Sequence, residues 1–418
     1  MPGMPPPDSV SDPSRRALLA AAASGAAALA VVPLVAGTQE PAPPPVPTDA
    51  TRVPGDPTTP QSARSPFEHP ARAPTGQLTG ASLTPIHELS GTITPTDLWF
   101  ERHHNGVPRI DPSRWRLLLH GLVERPLSFT LADLRRLPSV NRVYFLECSG
   151  NGRNGYRSPQ RELSPQQIDG LTANAEWTGV RVATLLGEAG VRAGADWVLA
   201  EGGDAAVLSR SIPLAKMLDD ALLVYAQNGE ALRPAAGYPV RLLLPGWEGN
   251  TCIKWIRRLE LIAQPNMSRD ETSRYTDPLP NDTARRFSFV MDVKSTLTHP
   301  TYPARLSGPG WTELSGIAWS GRGKIARVDL STDGGRNWEP AELQRPVLKK
   351  AHVRFTRMWN WDGRRAVLLT RAVDETGAAQ PTLAEFRARR GAGTDYHFNY
   401  IRAWVVEPDG RVYFGVDL

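Results

Sequence analysis

Polar and apolar positions follow three textures along this chain. From Gln39 to about Thr79 proline, threonine, alanine and serine crowd together with no apolar period, the signature of a linker that buries too little to order itself. From Ser82 to about Pro280 compact apolar runs alternate with polar stretches and glycine turns. From about Ser288 the runs become short, alternating and regularly spaced.

In the middle region, Trp115 to Leu122 reads as a strand, and Thr130 to Leu137 as a short helix with Thr130 as its cap and Asp133 in its first turn. The β-rich run Val143-Tyr144-Phe145-Leu146 predicts a buried strand ending at Glu147-Cys148. Further on come a helix over Val180 to Ala189 closed by Gly190, a strand from Trp197 to Glu201 running into Gly202-Gly203-Asp204, and a short helix from Ile212 to Leu218. Leu222 to Gln227 with the Asn228-Gly229 turn, and Pro239 to Pro245, read as strands. No regular βαβ repeat emerges, so this region is an α+β domain. Beyond it, Thr312 to Ala318, Ile325 to Ser331, Arg354 to Trp361, Ala366 to Val373 and Ile401 to Val406 predict an all-β sandwich with scarcely a helix signal. Trp338, Trp359, Trp361 and Trp404 are available to its core.

The N-terminus adds an address. Ser14-Arg15-Arg16-Ala17-Leu18-Leu19 precedes an Ala/Gly/Leu/Val run to Val32 and small residues at Val35-Ala36-Gly37, the layout of a twin-arginine (Tat) export signal; an uncleaved anchor or an ordinary secretory signal are the alternatives. The expected organisation is therefore a signal over 1–38, a disordered linker over 39–81, an α+β domain over 82–280 and the sandwich over 281–418. Tat export delivers a folded protein to the periplasm, with no stable membrane anchor after cleavage.

Composition narrows the chemistry. With 418 residues, 40% hydrophobic and 22% charged, the chain has room for two or three cores. Its formal charge of +5 is spread rather than blocked, which favours an acidic ligand or partner over nucleic acid. Two cysteines, Cys148 and Cys252, exclude a disulfide framework and a four-cysteine zinc site, and no Cys-x-x-Cys-His attaches a haem to this chain. Cys148 opens the most unusual stretch, because three of the six residues Gly150 to Gly155 are glycine and Arg153 is close by. Glycines let backbone approach a bulky ligand, and an arginine biases a thiol toward the thiolate. Nucleophile, soft-metal ligand and inert packing residue all fit the position. A second unusual stretch, Phe100 to His104, holds Arg102 and two adjacent histidines, and Gly246 to Lys254 forms a glycine-bearing turn whose amides and lysine suit an anion.

These segments, with 44 residues from His104 to Cys148, resemble the Phe-x-Arg-Asn-His and Cys-x-Gly-Asn-x-Arg segments of the sulfite oxidase family of molybdenum enzymes. Glu201-Gly202-Gly203-Asp204, Ser211-Ile212-Pro213-Leu214, Asn228-Gly229-Glu230, Gly237 to Arg241 and Lys254-Trp255 match the family core in order, and Val328 to Trp338 resembles the start of its immunoglobulin-like dimerisation domain. The resemblance implies that 82–280 is a molybdopterin-binding catalytic domain holding a molybdenum–molybdopterin cofactor, with Cys148 as the metal's protein ligand. It places Phe100, Glu101, Arg102, His103, His104, Asp204, Arg241, Cys252, Ile253 and Lys254 around the pterin and its phosphate. Arg102 and Arg153 would face the metal's open side, and Tyr275 would be the pocket tyrosine. The chain departs from the family where asparagine usually stands at His103 and histidine at Ala236, and His397 falls near the family's substrate arginine.

Within the family the pattern is most similar to the sulfane dehydrogenases of the bacterial thiosulfate-oxidising Sox system. That similarity implies oxidation of a sulfane sulfur held on a SoxY-like carrier protein, electron transfer to a SoxD-like c-type cytochrome, and homodimerisation through the C-terminal domain. Direct sulfite:cytochrome c dehydrogenase activity is the alternative enzyme, and a cofactor-free secreted binding protein the alternative of another class.

Overall fold

The computed structural model describes residues 49–279 and 283–416, and the chain divides into two units, Met1–His69 and Pro70–Leu418. The export signal expected over 1–38 lies outside the described residues. In the first unit the described stretch is largely exposed, with one 3-10 turn, Ala50–Arg52, whose Thr51 amide donates to the Asp49 carboxylate. No helix among the described residues is long and apolar enough to cross a membrane.

In the second unit, strand pairing begins before Ser82. Ala73–Pro74 pairs antiparallel with Ala81–Leu83, which pairs in turn with Glu101–Arg102. The linker expected over 39–81 therefore ends short of Ala73, because a two-residue strand is made by its partner and has no alternation to read. This small sheet carries Arg102 to the site.

Two five-stranded sheets build the α+β domain. One orders Glu230–Ala231, Leu222–Gln227, Thr172–Arg181 and Ser139–Glu147 as antiparallel neighbours, with Arg241–Leu243 also paired to Leu222–Gln227. The other runs Leu127–Phe129, Leu117–Gly121, Ile256–Ile262, Trp197–Gly202, Ser209–Pro213, with one parallel pair in its middle. Trp177, Val180, Leu222, Leu242, Val198 and Leu259, drawn from both sheets, share one buried core. Two local expectations hold closely. The helix Leu131–Arg136 starts at a reciprocal capping box between Thr130 and Asp133, and Asn228-Gly229 turns the hairpin with φ of 50° and 81°, both positive as a type I′ turn requires.

Three expectations are corrected. The helix read from Val180 starts at Val182, because Thr172–Arg181 is a strand whose β-formers are interrupted by Ala, Asn, Glu and Gly and which owes its state to partners on both sides. Ile212 belongs to the strand Ser209–Pro213, and the following helix is Leu214–Asp219. Leu383–Arg390 is a capped helix inside the C-terminal part. That part is otherwise two antiparallel sheets, of four and five strands, whose facing residues Leu314, Phe355, Val328, Leu368 and Trp404 form a second core. Trp361 and Trp404 are buried there, Trp359 packs on it half-buried, and Trp338 lies at its edge beneath Arg371.

The cysteine strand Ser139–Glu147 is gripped at its end from both faces. Leu146 enters the α+β core, while Phe145 packs with Met291, Ile317 and Trp319 beneath the sandwich. His352 closes this contact, 6.0 Å from the Phe145 ring and 5.0 Å from Trp319, with Nε2 3.0 Å from Thr172 Oγ1. Burial pushes its pKa down to about 3. The unfolded chain therefore binds a proton that the native state refuses, and this contribution, complete above about pH 6.5, is lost as pH falls toward 3. Moving from pH 7 to pH 5 is expected to cost about 2 kcal/mol through this residue. Urea unfolding at both pH values measures it, and a His352→Phe variant should lose that part of the slope. An unchanged slope would count against the assignment.

Candidate functional site

Cys148 ends its strand in a turn that main-chain bonds fix on both sides. Its amide donates to Leu171 O at 2.9 Å, its carbonyl accepts from the Asn151 amide at 2.9 Å, and the Asn151 side chain ties back to Glu147 and Leu171. Gly249 is needed beside it, since a Cβ there would sit 2.8 Å from Glu147 O. The thiol opens into a cavity also lined by Arg102 of the N-terminal sheet and by Trp99 and Phe100 just before it, by Asp204, and by residues of the 235–255 segment.

Of the residues singled out from sequence, Phe100, Arg102, His103, His104, Cys148, Asp204, Arg241, Cys252, Ile253, Lys254 and Tyr275 line this cavity. Two do not. Glu101 lies in an adjoining recess, where it binds Arg72 and holds His103 Nε2 at 2.9 Å. Arg153, expected to face the metal, instead donates to Asp395 O at 2.7 Å and lies over the Tyr396 ring at 5.5 Å. The direction of an arginine depends on acceptors contributed from far along the chain, which motif spacing does not contain. Trp99, Asn250 and Trp255 also line the cavity and were not singled out. Trp255, whose ring lies 4.3 Å from Lys254 Nζ, had a visible signal in its place beside that lysine.

The electrostatics differ from expectation at the cysteine. Burial dominates and pushes the Cys148 thiol up, although Arg102, the Gly150 amide and Arg153 pull the other way. A metal would therefore have to displace the proton, the usual coupling of thiolate ligation to proton release. Cys252 is different in kind: its Sγ is buried against Leu244, 3.3 Å from the amide and 3.7 Å from the carbonyl.

Deep in the cavity two cations sit close together. Arg241 is 2% exposed and donates to Ala236 O and Cys252 O at 2.9 and 3.1 Å, while its Nε is buried without a partner. Burial lowers its pKa to about 10. Lys254 Nζ donates to Arg102 O and Ala235 O, both at 3.1 Å, and lies 2.7 Å from His103 Nδ1; burial and Arg241 hold its pKa well below the usual range. With Lys254 donating to Nδ1 and Nε2 facing Glu101, His103 is set as the neutral ring that donates from Nε2, and burial lowers its pKa accordingly. Buried cations satisfied mainly by carbonyls, one with an orphaned N–H, fit a bound anion such as a phosphate monoester.

The other side of the cavity is a hydrogen-bonded pair, Tyr275 Oη and His104 Nε2, 2.8 Å apart. Burial lowers His104 to about 4, so it is neutral at physiological pH, and burial pushes the Tyr275 phenol well above its usual value. No cluster of three or more histidine, cysteine or acidic residues suited to a metal occurs among the described residues. A metal at Cys148 would thus be held by one thiolate together with ligands that are not side chains, as a pterin dithiolene provides.

Comparison with known proteins places this geometry. Residues 104–270 match a family model described as an oxidoreductase molybdopterin binding domain, and residues 285–403 one described as a Mo-co oxidoreductase dimerisation domain. Chicken (Gallus gallus) sulfite oxidase is 32% identical over 315 residues, covering 69% of this chain and 68% of that one. Mouse (Mus musculus) mitochondrial sulfite oxidase is 30% identical over 355 residues, and NADH nitrate reductase of Ulva prolifera 28% identical over 373, covering 79% and 77% of this chain. The chain spans 65% and 42% of those two proteins' own lengths. The crystal structure of the sulfane dehydrogenase SoxCD from Paracoccus pantotrophus superposes with a TM-score of 0.86 at 42% sequence identity, covering 88% of this chain and 97% of that one.

Proposed function

Since this chain belongs to the sulfite oxidase family of molybdopterin oxidoreductases, we propose that it is a SoxC-like catalytic subunit that oxidises a sulfane sulfur carried on a SoxY-like protein and passes electrons to a SoxD-like c-type cytochrome. The observation that carries this reading is the 42% identity to a sulfane dehydrogenase over 97% of its chain, against 28–32% to the sulfite oxidases and nitrate reductase. Export by the Tat route to the periplasm, from the twin arginine at Arg15-Arg16, and homodimerisation through the C-terminal sandwich complete the proposal.

When bound, the molybdenum–pterin group supplies oxygen-atom transfer to sulfur, each oxygen coming from water with release of two protons and two electrons. Cys148 would hold the metal, and Arg241 with Lys254 would neutralise the pterin phosphate, satisfying the orphaned Arg241 Nε. Arg102 lines the cavity and stabilises negative charge on the oxidised sulfur, while Tyr275, held by neutral His104, offers a phenol that stays protonated. Fewer cations reach this cavity than the motifs imply. Arg153 is turned to Asp395, and His397 is 2% exposed with Nε2 3.5 Å from Glu248. A small, free, divalent anion such as sulfite loses most from that arrangement, whereas a sulfur tethered to a carrier is positioned by the carrier's own contacts.

Purified protein is expected to contain about one molybdenum and one pterin per chain, and to reduce cytochrome c with persulfide on a carrier faster than with free sulfite. Brisk sulfite turnover with no response to the carrier would instead make it a sulfite:cytochrome c dehydrogenase. A preparation with neither metal nor pterin would make it a binding protein.

A further inference from the structure

We propose that Tyr396, from the C-terminal module, is a positioning residue for the cavity tyrosine Tyr275, and that Arg153 acts through Tyr396 rather than on substrate. The inference rests on the reading above of the Cys148 cavity as the oxidising site.

Tyr275 lies in no helix or strand, and its φ of 53° is in the left-handed region that an aromatic residue rarely adopts. Such a conformation persists only where the surroundings over-determine it. Here the Tyr275 amide donates to Tyr396 Oη at 3.1 Å, the two rings stand 5.4 Å apart, and the Arg210 guanidinium lies over the Tyr275 ring at 5.3 Å. The amide bond fixes the backbone and leaves the Tyr275 hydroxyl aimed at His104, 2.8 Å away on the cavity wall.

Tyr396 is itself fixed from the catalytic domain. It sits in the segment after the helix Leu383–Arg390, which His397 N anchors to Ser149 O at 2.8 Å, one residue beyond Cys148. Arg157 Nη2 donates to Thr394 O at 2.9 Å, and Thr394 Oγ1 to Asp277 at 3.1 Å, two residues beyond Tyr275. Arg153 grips Asp395 O and lies over the Tyr396 ring at 5.5 Å. The sandwich module thus supplies the hydroxyl that holds Tyr275 in the cavity wall, and the glycine-rich turn after Cys148 holds that hydroxyl in register with the cysteine.

The test compares Tyr396→Phe, Tyr275→Phe and the double variant in cofactor-loaded protein. Tyr396→Phe removes one hydroxyl and keeps the ring under Arg153, so molybdenum content should not change. Without substrate, the Tyr275 amide is expected to exchange with deuterium about tenfold faster in Tyr396→Phe than in the unaltered protein. In turnover, kcat/KM should fall about tenfold in each single variant, and the double variant should lose no more than Tyr275→Phe alone, since both act through one hydroxyl. Unchanged exchange at Tyr275, or losses that multiply in the double variant, would overturn the proposal. The unaltered protein gives an independent check: its Tyr275 amide should be protected although outside any helix or strand, and exchange at the rate of a free peptide would sink the idea. Because amide exchange needs no turnover, an inactive preparation would count against the proposed reaction without touching this contact.

Discussion

Serine in place of Cys148 is expected to leave a folded protein whose turnover falls by well over the ten- to hundredfold, roughly, that follows loss of an outer-shell partner of a metal. The sulfur is the soft donor of the cavity, and a hydroxyl is a hard, protonated substitute that a high-valent metal held by sulfur ligands cannot use in the same way. Stability should change little, because the turn is carried by the main-chain bonds of Cys148 to Leu171 and Asn151 and by the Asn151 side chain. The matched control is Cys252→Ser. That hydroxyl can take over both contacts with Leu244, so the metal's visible spectrum should survive. Molybdenum content, absorption spectrum and kcat/KM of the two variants decide the matter. Equal behaviour of both, in either direction, would falsify the ligand assignment.

Lys294→Met is expected to destabilise the protein by about 3–5 kcal/mol, the cost of leaving a buried carboxylate without its partner. Lys294 is 1% exposed, and its Nζ lies 3.0 Å from Glu147 and 2.8 Å from Asp169. Glu147 is further bound by Trp319 Nε1 at 2.7 Å and Asn151 Nδ2 at 2.9 Å, and Asp169 by Arg402 at 3.2 Å. Methionine matches the lysine stem in length but leaves two enclosed carboxylates to one guanidinium. Burial alone would raise the Asp169 pKa, yet Arg402 and Lys294 hold it below the usual value. Its stabilisation is therefore present above about pH 4 and lost as pH falls through the native value, and the variant should lose part of it at neutral pH as well. Urea unfolding at pH 7 supplies the measurement, and a loss under about 1 kcal/mol would show that the cluster relaxes or admits water. Since Glu147 precedes Cys148, the cluster also joins the first strand of the sandwich to the root of the cysteine turn.

The amino-acid sequence by itself determined the features that depend on a few consecutive residues. The capping box at Thr130 and Asp133, the type I′ turn at Asn228-Gly229, the strands Leu222–Gln227 and Ile325–Ser331 and the turn after Cys148 are each set by local propensity, and they stand where the pattern put them. Motif spacing also gathered eleven of the thirteen selected site residues into one cavity, leaving out Glu101 and Arg153. Tertiary structure alone decided what depends on distant partners. The strand Thr172–Arg181 exists because two neighbours pair with it, and Arg153 turns from the cavity because Asp395 offers an acceptor there. Tyr275 takes a left-handed backbone because Tyr396, supplied by the other module, bonds its amide. The Cys148 thiol is raised rather than lowered because burial, a property of everything packed around it, outweighs the arginines that the local sequence announces.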